Sequence, residues 1–189
     1  RSSDLEMSEF DTNRKTGLIA ITLKEGDKLI SVALANGNEN VLVVTKQGKA
    51  IAFSEKDVRP MGRNAGGVRA ILLDKNDEVV SMELDSEQVR KMLVITENGF
   101  GKRTPLTEYR LQTRGGKGVA TYDKTKFSKT GTLVGATIVK DEDEVMVINS
   151  NGVIIRIRAN EVSTSGRTTQ GVKIISRSEE RRVGKECRS

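Results

Sequence analysis

Three short apolar runs punctuate the chain: Val41 to Thr45 (VLVVT), Met92 to Thr96 (MLVIT) and Val145 to Asn149 (VMVIN). Each is followed by a polar turn ending in glycine (Gly48, Gly99, Gly152) and then by a second strand-like run, such as AIAF from Ala50 to Phe53 or IIRI from Ile154 to Ile157. Uninterrupted β-branched runs of this length predict strands covered on both faces, and a glycine-bearing turn between two of them predicts a hairpin. The turn glycines lie 51 and 53 residues apart, so the hairpin recurs at a nearly constant period.

A second register runs through the polar segments. Arg63, Arg114 and Arg167 are each followed four and five residues later by a Gly-Val pair: Gly67 with Val68, Gly118 with Val119, Gly171 with Val172. Strand-like segments then lead onward, as in Arg69 to Leu73 and Glu78 to Met82, and Gly17 with Leu18 forms the tail of an earlier copy. Windows with a 3.6-residue apolar period are scarce, which argues against a helical solenoid. Units of about fifty residues built from short strands and glycine turns predict an all-β, propeller-like radial array. With about three and a half copies, closure into a ring is not expected, and the native chain is expected to extend further at its N-terminal side and at the other end too. The repeat divides the sequence into the end of a preceding blade with a linker (1–26), a blade (27–76), a blade carrying a basic loop (77–131), an incomplete blade (132–176) and a charged tail (177–189) expected to be disordered or non-native.

Charge sharpens the picture. Of 189 residues, 32 are Lys or Arg and 26 are Asp or Glu, a net charge of +6. Between Lys102 and Lys129 there are eight bases against two acids, so this stretch alone accounts for the whole excess. Within it lies Gln112 to Gly118, QTRGGKG. Such a concentrated positive field points to a polyanion. The glycines Gly115, Gly116 and Gly118 leave room for backbone N–H groups to approach phosphate oxygens, Arg114 and Lys117 supply charged donors, and Gln112 adds a neutral one. A turn whose glycines merely permit positive φ is the bland alternative. Arg63 and Arg167 share the position of Arg114 and are candidate rim contacts, or else ties to a backbone carbonyl or acid. Lys102, Arg103, Arg110 and Arg156 complete the candidate phosphate contacts, with solvated strand positions as the alternative for Arg103 and Arg156.

The remaining chemistry is sparse. There is no His, Cys187 is the lone Cys, and aromatic residues are 3% without Trp, so His- or Cys-based metal sites and base-stacking platforms are not expected. Duplex backbone is therefore the better nucleic-acid partner. The acids Asp141 to Glu144 (DEDE) fall on a turn before a strand and read as solvated. No apolar stretch is long enough to span a membrane, which fits a cytosolic fragment.

From about Phe10 to Ile175 the phrases VTKQGKAIAF, VRPMGRNAGGVRAI, NGFGKRTPLTEYRLQTRGGKGV and STSGRTTQGVKII, together with the spacing, resemble the C-terminal domain of DNA gyrase A. The resemblance implies a β-pinwheel, a six-bladed propeller-like disc of four-stranded blades that wraps double-stranded DNA around its rim, here represented by about three and a half blades. It implies part of an ATP-dependent, negatively supercoiling type II topoisomerase of the bacterial cytoplasm, with gyrase B and a second copy of gyrase A as partners. ATP and Mg²⁺ would belong to other parts of that assembly, as would the DNA-cleaving tyrosine, so Tyr109 and Tyr122 carry no catalytic role. Thr113 stands where the family's box has a base, and the copy here corresponds to a later blade than the family's principal box. The corresponding domain of topoisomerase IV and a propeller serving as a protein scaffold are the rival readings.

Overall fold

Alternation of covered strands and pinned turns builds the whole architecture. The computed structural model describes residues 1–13, 15–85 and 90–175. In chain order the described strands are β1 (Asn40–Thr45), β2 (Lys49–Ser54), β3 (Val79–Asp85), β4 (Lys91–Thr96), β5 (Phe100–Pro105), β6 (Val119–Ala120), β7 (Leu133–Val139), β8 (Glu144–Ile148), β9 (Ile154–Arg158) and β10 (Val172–Lys173), with short 3-10 turns between them and one short α-helix, α1 (Phe127–Thr130), before β7. The three predicted hairpins are β1–β2, β4–β5 and β8–β9, all antiparallel. At each hairpin turn the last residue of the apolar run caps the bend: Thr45 Oγ1 accepts from the Lys49 amide, Thr96 Oγ1 from the Phe100 amide and Asn149 Oδ1 from the Val153 amide, at 3.2, 3.2 and 2.9 Å.

Two hairpins grow into four-stranded sheets with the orders β3-β1-β2-β6 and β7-β4-β5-β10. Here the contiguous units expected from the repeat need correction. The unit 27–76 supplies only the central hairpin of the first sheet, while β3 and β6 come from 77–131; likewise β7 and β10 of the second sheet come from 132–176. Each of these two blades is thus finished by its successor. The segment Arg69 to Leu73, expected as strand-like, is not a strand, and the neighbouring Val68 makes a single antiparallel bridge to Ser2, at the place where Val119 and Val172 join full sheets. Leu29 to Leu34, in the repeat position of β3, has no described hairpin beside it and stays outside the sheets with its apolar side chains exposed. The expected tail, 177–189, lies outside the described residues.

Two covered faces per strand explain the near-continuous apolar runs of β1, β2 and β4; the third run, expected to be covered likewise, is covered on one face only. Leu42, Val44, Ala50 and Ala52 of the first sheet pack against Met92, Val94, Leu106, Tyr109 and Tyr122 of the second unit and against Leu133 of β7. The opposite face of the first sheet, with Val41, Val43, Ile51 and Phe53, is covered by Val58, Ala70 and Ile71. Leu93 and Val139 meet Ala159 and Val162 of the third unit. Each Val, Leu, Ile, Phe or Met side chain among them contributes ~1.5–3 kcal/mol on leaving water, before chain entropy is set against it. The outer face of β8–β9 is left open, with Met146, Ile148 and Ile154 exposed.

Candidate nucleic-acid interface

The QTRGGKG loop is built onto the preceding unit by backbone pairing. The Gln112 amide donates to Ala52 O at 2.8 Å, the Gly115 amide to Ala70 O at 2.6 Å, and the Leu72 amide to Gly116 O at 2.8 Å. Gly118 then turns the chain into β6 with φ +69°, and a Cβ there would stand 2.4 Å from Ala50 O. Gly171 repeats this against Gly101 O, also at 2.4 Å. In these two Gly-Val pairs the glycine is therefore required by close approach to the previous hairpin as well as by its backbone angle, while Gly67 of the first pair closes instead on Ser2 O at 2.8 Å.

The three repeat-related arginines share one arrangement. Arg63 Nη1 donates to Ile19 O at 3.2 Å, Arg114 Nη1 to Arg69 O at 3.3 Å and Arg167 Nη1 to Ala120 O at 3.0 Å, each acceptor lying two residues after the glycine of the previous unit's Gly-Leu, Gly-Val or Gly-Val pair. Arg63 and Arg167 also face Glu9 and Glu108, at 3.7 and 3.8 Å. Arg114 faces the shorter Asp57 instead, and its Nε donates to the Asp57 backbone carbonyl at 2.7 Å. All three are half-buried latches between successive units. A tie to a backbone carbonyl or acid, the structural alternative for this position, describes their geometry.

Four further candidates need correction. Lys102 and Arg103 are 0% and 4% exposed and cannot touch a phosphate, because β5 is covered on both faces. Lys102 Nζ donates to Gly166 O at 2.7 Å and to Arg167 O, and sits over the Tyr122 ring. Burial pushes its pKa down to about 8, with Arg167 adding to the fall and Glu108 and Asp123 opposing it. Arg103 is held by Val162 O, Asn160 O and the Asp141 carboxylate. The Gln112 side-chain nitrogen is buried without a hydrogen-bond partner and so faces inward. The Gly115 amide is already spent on Ala70, which removes one of the backbone donors expected to meet phosphate. Arg156 is exposed on β9 and paired with Glu144 across the β8–β9 hairpin. Tyr109 and Tyr122 are buried, with hydroxyls bonded to Thr121 and Gln170.

What remains exposed is a band of cations from the loop to α1: Arg110, Lys117, Lys124, Lys126 and Lys129. The two acids of the stretch are occupied, Glu108 with the Arg167 amide and Asp123 in capping Thr125. Lys124, Lys126 and Lys129 figure in the sequence only through the local charge excess; the polar run Asp123 to Lys126 is the signal that would mark them as surface. Asp141, of the acidic run, pairs with Lys91 and Arg103, and Asp143 accepts the Lys140 amide.

Residues 5–36, 39–84, 90–140 and 143–181 match the family described as DNA gyrase C-terminal domain, beta-propeller. The DNA gyrase A protein of Staphylococcus epidermidis (strain ATCC 12228 / FDA PCI 1200) is 46% identical over 170 residues, covering 89% of this chain and 19% of the relative. Its counterpart in Staphylococcus aureus (strain MRSA252) is 42% identical over the same length and shares. The chain thus spans about a fifth of the length of these relatives. Among solved structures, the C-terminal domain of DNA topoisomerase IV superposes with a TM-score of 0.88 at 26% identity, covering 94% of this chain and 55% of that one. The DNA gyrase A C-terminal domain superposes with a TM-score of 0.79 at 30% identity, covering 85% and 54%.

Proposed function

The chain belongs to the DNA gyrase C-terminal domain family of β-propellers, and from that premise we propose that it binds double-stranded DNA along the exposed cations Arg110, Lys117, Lys124, Lys126 and Lys129. The observation that carries this reading is the sorting of the basic stretch. Its structural cations, Lys102, Arg103 and Arg114, are consumed by backbone carbonyls or acids, and a solvent-facing set with little opposing charge is left over. Successive lysines on a rigid β-scaffold neutralise successive phosphates and release counterions without reading bases. Curving a 20–30 bp duplex by 40–90° costs on the order of 1–6 kcal/mol, which several such contacts offset.

Within a whole gyrase A protein this binding would present a wrapped segment for strand passage, in an assembly with gyrase B and a second gyrase A, in the bacterial cytoplasm. The domain itself would neither cleave DNA nor need ATP or Mg²⁺. Supercoiling is favoured over the decatenating role of a topoisomerase IV domain by the QTRGGKG loop and by the 46% identity to a gyrase A protein.

Duplex binding measured across a salt series tests the proposal. Replacing Arg110, Lys117 and Lys126 together by Ala is expected to weaken binding equally for unrelated sequences and to flatten the salt slope by about 2.7, roughly 0.9 per lost phosphate contact. A slope unchanged by the triple substitution would remove these side chains from the interface.

A further inference from the structure

One carboxylate lies at the meeting point of the basic band. Asp74 Oδ2 is 2.7 Å from Lys49 Nζ on β2 and 3.7 Å from Lys124 Nζ in the 3-10 turn before α1. Lys117 of the QTRGGKG loop adds its field there: the Lys49 hydrogen bond, with Lys124 and Lys117 behind it, holds the Asp74 carboxyl below its ordinary value. The convergence is fixed by the backbone. The pairing of Ala70 and Leu72 with Gly115 and Gly116 runs the chain along the loop up to Asp74. Gln47, in the β1–β2 turn that precedes Lys49, holds the far side of the bend through Asn76 O at 3.1 Å and through its own amide to Asp77 Oδ1 at 2.9 Å. The Thr121 amide, donating to Gly48 O at 2.8 Å, brings in the segment that carries Lys124.

The turn itself does not require an acid. In the preceding unit the same position, seven residues after the pair glycine and three before a matching Asp, is Lys24. Three cations around one carboxylate leave a local excess of two positive charges at a group whose side chain is 44% exposed.

From this juxtaposition we infer that Lys49, Lys117 and Lys124 form a single phosphate-binding site in which Asp74 is a resident counter-ion, displaced when a phosphate of a polyanion arrives. The inference rests on the DNA-binding reading for the identity of that polyanion. It adds Lys49, a residue from the previous blade, to the interface and gives Asp74 a restraining role: the carboxylate keeps the three ammonium groups gathered and competes with the incoming phosphate.

Asp74→Asn removes the competitor without changing shape. In the full chain it is expected to tighten duplex binding about three- to tenfold at low salt, whereas Glu142→Gln, the same charge change on the third unit, changes it less than twofold. Adding Lys49→Met and Lys124→Met to Asp74→Asn is expected to abolish the gain. Titration with inorganic phosphate, followed by NMR at the lysine side chains, is expected to perturb Lys49, Lys117 and Lys124 together in Asp74→Asn and more weakly in the unchanged chain. Equal gains from Asp74→Asn and Glu142→Gln, or a loss of affinity in Asp74→Asn with native stability, would overturn the inference. Failure of the unchanged chain to bind duplex would instead sink the DNA reading, and the phosphate titration would still decide the site: lysine shifts that move together support it, and no shift in Asp74→Asn overturns it.

Discussion

Lys102 stands where the flanking units have Ile51 and Ile155, three residues after each hairpin glycine, and it is buried as Ile51 is. Burying an ammonium is costly, yet a neutral amine still has two N–H groups for the two carbonyls of Gly166 and Arg167. Its folded pKa, about 8, lies below the 10.5 of an unburied lysine, chiefly through burial. Between those values the unfolded chain binds more protons than the folded one, so stability rises with pH through that window. Urea unfolding is expected to show the unchanged chain gaining stability from pH 8 to 10.5 relative to Lys102→Met; parallel pH profiles would mean the lysine stays charged in the fold. The interior place of Lys102 was legible in one respect, because its repeat position is apolar in both neighbours. Counting charge hid it, since a sum over a segment does not say which face of a strand each residue occupies.

At the level of the element, the Gly-Val pairs and the latch arginines belong to one joint. The glycine lets the chain pass within contact distance of the previous hairpin, and the arginine of the next loop ties down the carbonyl two residues beyond. Gly118→Ala and Gly171→Ala combine a positive φ with a Cβ 2.4 Å from a backbone oxygen, and each is expected to lower stability by more than about 2 kcal/mol. Gly152→Ala, at φ +80° but facing open space, is expected to cost only about 1 kcal/mol. Equal losses at the three positions in thermal unfolding would mean that the angle alone matters. β1, β2 and β4 were readable because six-residue strands covered on both faces leave an apolar run, whereas β8 carries the same kind of run over five residues with one face open. The joint was only half readable: its glycine and arginine recur visibly, but β6 and β10 are two residues long and carry no periodicity that could reveal their partners. The latch role of Arg114 was hidden in the same way, since an arginine in a glycine-rich loop looks alike whether it points at DNA or at a carbonyl in its own fold.

Across the whole molecule, stability is graded. β1 and β4 are central strands with neighbours on both edges and cover on both faces, while β8–β9 is a lone hairpin among the described residues with one open face. Amide exchange is expected to be slowest in β1 and β4 and faster by at least tenfold in β8 and β9; uniform protection would show that the third unit is held by something other than the contacts seen here. The order of strands also determines where such a chain can be cut. Sheet β3-β1-β2-β6 is whole only if residues 40–120 stay together, and β7-β4-β5-β10 only if 91–173 do. The two spans overlap like roof tiles, so severing the polypeptide at 131/132, where the repeat invites a clean split, strips the second sheet of half its strands. Dissection, shuffling or duplication of these units therefore has to follow the overlap, and a new copy inserted at a repeat boundary inherits its neighbour's last strand while lending its own opening segment backwards.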